Sequence, residues 1–79
     1  MDYIWVYQAG NAWMPLDEES NAIVEKLYHS CRDGYVLIHE HQAYVNAQEL
    51  YLQFVRNGVS VAIARTFRGN LQVMDSYYA

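Results

Sequence analysis

The sequence predicts an α+β fold, one helix laid against a strongly bent antiparallel sheet of about six strands. Three observations carry that reading. Residues Tyr3 to Tyr7 alternate, with Tyr3, Trp5 and Tyr7 on one side and Ile4 and Val6 on the other, which is strand period. After Asp17 the spacing of apolar residues becomes helical, and beyond Gly34 it returns to strand period. Turn signals at Ala9-Gly10-Asn11 and Asn57-Gly58 cut the strand-like runs into hairpins.

Each element follows in order. Ala12 to Leu16 reads as a short second strand, and Pro15, which has no N–H to donate, puts it at an edge or ends it there. Asp17 is placed to cap a helix, and Glu18 and Glu19 suit the positive end of its dipole. Ile23, Val24, Leu27, Tyr28 and Cys31 form one apolar stripe, so Cys31 is expected as a small buried hydrophobe. Gly34 is the expected terminator of that helix. Tyr35 to His39, Gln42 to Val45 and Tyr51 to Arg56 follow as strand candidates, with a helical turn at Asn46 to Leu50. Beyond Asn57-Gly58 the chain alternates through Val59, Val61, Ile63, Arg65 and Phe67. Residues 1–68 are read as one domain, and 69–79, where no period is clear, as a partly ordered C-terminal tail.

A chain of 79 residues buries only about 60% of its unfolded surface and needs a dense core or a staple. Cys31 is the single cysteine, so no disulfide forms within the chain, and no Cys/His array has zinc spacing. The eight Tyr, two Trp and two Phe are the remaining device. Trp5 and Trp13 are accordingly expected in the core, facing each other across a hairpin and pinning it to the helix. Glu25 is expected to be solvated or tied to a backbone N–H or an arginine.

A net charge of −4 with five Lys and Arg argues against a duplex nucleic-acid binder. No apolar run reaches the length of a membrane span, no signal-peptide pattern opens the chain, and a lone thiol suits a reducing compartment. The expectation is an intracellular domain, cytoplasmic or nuclear. His39 and His41 share a side if that segment is extended, but a third metal ligand is not identifiable. No nucleophile triad, phosphate loop or carboxylate pair is recognisable either, so no enzyme activity and no cofactor is expected.

The order of motifs resembles the WWE domain family over about residues 3 to 67. The resemblance rests on Trp5 and Tyr7 as W-x-Y, then Trp13, the D-E-E-S run before a helix containing Glu25, Tyr44-Val45, the segment Glu49, Leu50 and Gln53, and the Asn57-Gly58 hairpin. It implies a half-barrel of about six strands wrapped on one helix, found in ubiquitin ligases and ADP-ribosyltransferases. It also implies a reader of ADP-ribose-type ligands, either iso-ADP-ribose or the terminus of poly(ADP-ribose). By motif position the contacts become Tyr7, Tyr44 and Gln53, with adenine on the tyrosines, Gln53 orienting it and Arg65 pairing the diphosphate. Ala47 stands where many members carry Asp, and the last strand offers only Arg65, then Arg68.

The sparse cations suit a second reading, an interaction or self-association module that has lost the ligand. Val59 to Ala64 is the segment expected to pair with a partner or a second copy, on condition that its strand lies at a sheet edge. A third is an adenine-nucleotide binder needing fewer cations.

Overall fold

The computed structural model describes residues 3–69, so most of the C-terminal tail expected at 69–79 lies outside the described residues. The elements are β1 (Tyr3–Ala9), β2 (Ala12–Pro15), α1 (Glu18–His29), β3 (Asp33–Ile38), β4 (His41–Asn46), β5 (Tyr51–Phe54) and β6 (Ser60–Phe67). All strand pairs are antiparallel and the sheet order is β2-β1-β6-β5-β4-β3. The α+β class, with one helix packed on a six-stranded antiparallel sheet among the described residues, agrees with the sequence reading.

The first hairpin turns on two residues. Gly10 takes φ +63°, a conformation glycine adopts without a Cβ clash, and Ala9 pairs with Ala12. That short loop sets the register of the whole pair, with Tyr7 opposite Met14 and Gln8 opposite Trp13. Trp5 points to the face carrying Tyr3 and Tyr7, whereas Trp13 shares the other face with Gln8. The two tryptophans therefore do not meet. Trp5 is fully buried in the core, but Trp13 is half-buried on the edge strand β2. The expectation of a tryptophan pair in the core is corrected by strand parity.

Asp17 caps α1 as expected, accepting from the Ser20 N–H at 3.2 Å. The buried side of the helix differs from the expected stripe. Ser20, Asn21, Val24 and Glu25 are buried, while Ile23 is 46% exposed. Polar residues can occupy the inner face because each meets a strand partner. The helix also stops before Gly34, which lies in β3. Ser30 is the C-cap, the Cys31 N–H donates to the Tyr28 carbonyl at 3.3 Å, and the Arg32 N–H donates to the Leu27 carbonyl at 2.9 Å. This pair of bonds is a Schellman motif with Cys31, at φ +55°, in the left-handed position usually held by glycine. Cys31 is exposed, not the buried hydrophobe expected, because the chain has already left the helix.

Two adjacent helix residues reach strands far apart in the sheet order. Ser20 Oγ donates to the Leu37 carbonyl on β3, and Asn21 Oδ1 accepts the Trp5 N–H on β1 at 2.6 Å. β3 ends the sheet and β1 is next to the other end. The sheet consequently bends around the helix, and α1 occupies the seam. The core between them holds Trp5, Val24, Val36, Ile38, Val45, Leu52 and Ile63.

β6 sits between β1 and β5, paired to β5 over its first residues and to β1 over the rest. The edge condition attached to Val59–Ala64 is not met. Ile63 is buried and Val61 packs on the core, which accounts for the apolar character of the segment. The Asn57-Gly58 hairpin forms, but as a longer loop: Phe54 and Val59 close it, and Gly58 takes φ +72°.

Candidate functional site

Strand register sorts the four expected ligand residues onto two faces. Tyr7 and Arg65 lie on the inner face, opposite Ile63 and Trp5 respectively. Tyr44 and Gln53 are direct cross-strand partners on the outer face, because their neighbours Ala43, Val45 and Leu52 point into the core. Tyr44 packs between Tyr35 (5.5 Å between centroids) and Tyr51 (6.4 Å), and Gln53 Nε2 donates to the Gly58 carbonyl at 3.0 Å. Tyr7 and Arg65 are thus brought to one side, and Tyr44 and Gln53 to the other. Ala47 is buried in the core.

Arg65 is engaged within the protein. Its Nε donates to Glu25 Oε1 at 2.9 Å and its Nη2 to Oε2 at 2.6 Å. Trp5 Nε1 donates to the same Oε1 at 2.8 Å, and His29 Nε2 lies 2.9 Å from Oε2. Each carboxylate oxygen therefore has two partners, which saturates its acceptor sites. The Arg65 bond foremost, against an opposing push from burial, and then the Trp5 and His29 bonds, hold the Glu25 carboxyl at about 2, below its usual 4.5. The guanidinium lies over the Tyr3 ring at 3.9 Å and near Tyr28 at 5.1 Å, and Tyr3 stacks on Phe67 at 4.5 Å. This end of the inner face is filled by its own side chains. Glu25 is tied to an arginine, one of the two fates expected for it.

The opposite end of the inner face is different. Tyr7 from β1, His39 from the β3–β4 turn, His41 from β4 and Phe54 from β5 bring four rings together. Tyr7 lies 6.1 Å from Phe54 and 6.3 Å from His39, and Phe54 lies 6.5 Å from His41. A cavity of about 180 Å³ opens beside them, lined by His41, Phe54, Arg56 and Asn57. Arg56 is exposed and makes no hydrogen bond or ion pair among the described residues. The cavity is smaller than the roughly 300–1,000 Å³ of a pocket for a drug-sized ligand, so it suits one ring with the remainder lying outside.

Asp17 fixes the β3–β4 turn that carries His39. Its Oδ1 accepts the His39 N–H at 3.1 Å, and His39 Nε2 lies 3.1 Å from the Pro15 carbonyl. Burial raises the Asp17 carboxyl, but the His39 and Ser20 bonds outweigh it and bring it from 3.8 to about 2. His39 and Glu40 both take positive φ, +47° and +70°, which a two-residue hairpin of this twist demands. His39 and His41 are held apart in role, and no cluster of three metal-capable side chains occurs among the described residues.

The sequence pattern singles out Arg65 and does not gather Phe54, His39 and His41 with Tyr7. These residues come from four segments, and only the bend of the sheet brings them together. Comparison with protein-family models gives no match, and comparison with curated protein sequences gives none. Among the described residues no helix is long and apolar enough to cross a membrane.

Proposed function

We propose that the chain is a non-catalytic binding module of the WWE type, a half-barrel on one helix, that recognises an ADP-ribose-type ligand. The observation that carries this reading is the cluster of four rings at Tyr7, two of which, His41 and Phe54, line a small cavity together with Arg56, a cation without a partner among the described residues. A nucleobase needs a flat π-face, and stacking contributes about 1–3 kcal/mol per base. A guanidinium offers two parallel donors to a phosphate. Adenine stacks against Tyr7 and the neighbouring rings, and Arg56 takes the phosphate role first assigned to Arg65. The Trp5–Glu25 hydrogen bond gives two of the residues that carry the resemblance a shared structural task.

The ligand is iso-ADP-ribose or the terminus of poly(ADP-ribose), and the partner is an ADP-ribosylated protein inside the cell. The test is calorimetric titration with ADP-ribose, iso-ADP-ribose and ATP. A micromolar dissociation constant, about −8 kcal/mol, is expected for one of the first two. Tight binding of ATP alone would favour the plain adenine-nucleotide reading, and no heat at millimolar ligand would end the reader proposal.

A further inference from the structure

Asn21, in the first half of α1, is 8% exposed, and one end of its carboxamide is unused. The Trp5 N–H can only donate, so the atom that meets it at 2.6 Å is Oδ1, and that bond fixes which way the amide faces. Asn21 Nδ2 has no hydrogen-bond partner among the described residues. No fully enclosed side-chain nitrogen or oxygen lacks a partner among the described residues, so Nδ2 reaches open space. The open space that Asn21 borders is a cavity of about 400 Å³, walled by Ile4, Pro15, Leu16 and Ala22. Ile4 and Leu16 are themselves buried.

We propose that this cavity binds an aliphatic secondary amide, its carbonyl accepting from Asn21 Nδ2 and its alkyl part lying on the apolar walls. A donor this deep without an acceptor is costly, and a ligand carbonyl supplies what the protein leaves out. A pure hydrocarbon would leave Nδ2 unpaired. Charge selects a neutral ligand. Glu18 and Arg68, both exposed, border the cavity with opposite signs, so an anion or a cation gains from one and loses to the other. A zwitterion brings two ions to desolvate against walls that offer one neutral donor. The N–H of a secondary amide, by contrast, finds an acceptor in the Glu18 carboxylate.

Size agrees with chemistry. The volume falls within the roughly 300–1,000 Å³ of small-ligand sites, and apolar walls with one placed polar group are their usual make-up. A small amide has few atoms to contribute, so its dissociation constant is on the order of 1 mM. The cavity shares no residue with the ring cluster at Tyr7, and the inference stands apart from the ADP-ribose reading.

Heteronuclear NMR titration of the labelled full chain with N-butylacetamide tests this. The expected result is a saturable shift of the Asn21 side-chain amide signal, together with the backbone signals of Ile4 and Ala22. Butylammonium, pentanoate and free leucine, which carry charge on a similar body, should each bind about tenfold more weakly or worse. Asn21→Asp keeps an oxygen for the Trp5 N–H and removes the donor to the ligand, so it should lose binding to the same degree with its fold unchanged by circular dichroism. Ala22→Phe, which fills the cavity from an exposed helix position and leaves the Trp5 bond in place, serves if Asn21→Asp fails to fold. No saturable shift at concentrations well above millimolar would overturn the proposal, leaving a cavity for water only. So would an equal response to the charged compounds, or binding that persists in a folded variant.

Discussion

Glu25 on the helix and Arg65 on the last strand meet fork to fork across a separation of 40 residues, at 2.9 and 2.6 Å. The Glu25 side chain is almost completely shielded, so this pair and the Trp5 indole N–H attached to it form a polar knot beside the apolar core. Removing one member leaves the others without partners, which costs more than the knot itself contributes.

Glu25→Ala should therefore destabilise the fold by on the order of 3 kcal/mol, and Glu25→Gln by less, since the amide oxygen still accepts from Trp5 or Arg65. Urea denaturation of the two variants beside the parent measures the difference. Equal stability of all three would contradict the assignment of Arg65 to the knot.

Acid should unfold the domain in a defined window. The Glu25 carboxyl is held at about 2 in the folded chain against 4.5 ordinarily, and Asp17 at about 2 against 3.8. A depressed folded pKa contributes stability that is present above the unfolded pKa and is lost as pH falls through the folded one. Stability should be level down to pH about 5 and fall by a few kcal/mol toward pH 2, with the fall reduced in Glu25→Gln. Thermal melts across that range provide the check.

Cys31→Gly should stabilise the protein by about 0.5–1 kcal/mol, because φ +55° is strained for a residue with a Cβ and ordinary for glycine. The gain in melting temperature should appear without change in any binding. A loss of stability would mean that the Cys31 side chain makes a contact that matters more than its backbone.

Asn21→Ala should cost about 1–3 kcal/mol by leaving the buried Trp5 N–H unsatisfied. Trp13→Phe, on the edge strand, should cost less than Trp5→Phe, which also removes the donor to Glu25. Hydrogen exchange at the Trp5 amide should quicken in Asn21→Ala before global unfolding does, since the seam opens locally.

For the ligand mouth, Tyr7→Ala and Arg56→Gln should each weaken binding about tenfold or more while the melting temperature of Arg56→Gln stays unchanged. Gln53→Ala and Tyr44→Ala should leave ligand affinity almost untouched, since both face the other side of the sheet. The reverse ranking, measured by calorimetry, would return the site to the outer face.

Local chemistry made most of the elements legible in the sequence. Alternation at Tyr3 to Tyr7, the Asp17 cap and the Gly10 and Gly58 turns each act within a few residues, so strands, helix start and hairpins could be placed from neighbours alone. The helix end at Ser30 was missed because a cysteine fills the left-handed position where glycine is the usual signal. The helix face was misjudged because hydrophobicity cannot reveal that Ser20, Asn21 and Glu25 find partners on distant strands.

What the sequence determined by itself was the class of fold, the order of its elements and its need for aromatic bulk in so short a chain. What the tertiary structure alone decided was which side each residue serves. Side-chain direction in a strand inverts with every residue, so a single step of register separates Trp5 from Trp13 and Tyr7 from Tyr44. The bend of the sheet around the helix then joined Glu25 to Arg65 and gathered Tyr7, His39, His41 and Phe54 at one end. Those contacts depend on long-range closure, and no local pattern along the chain encodes them.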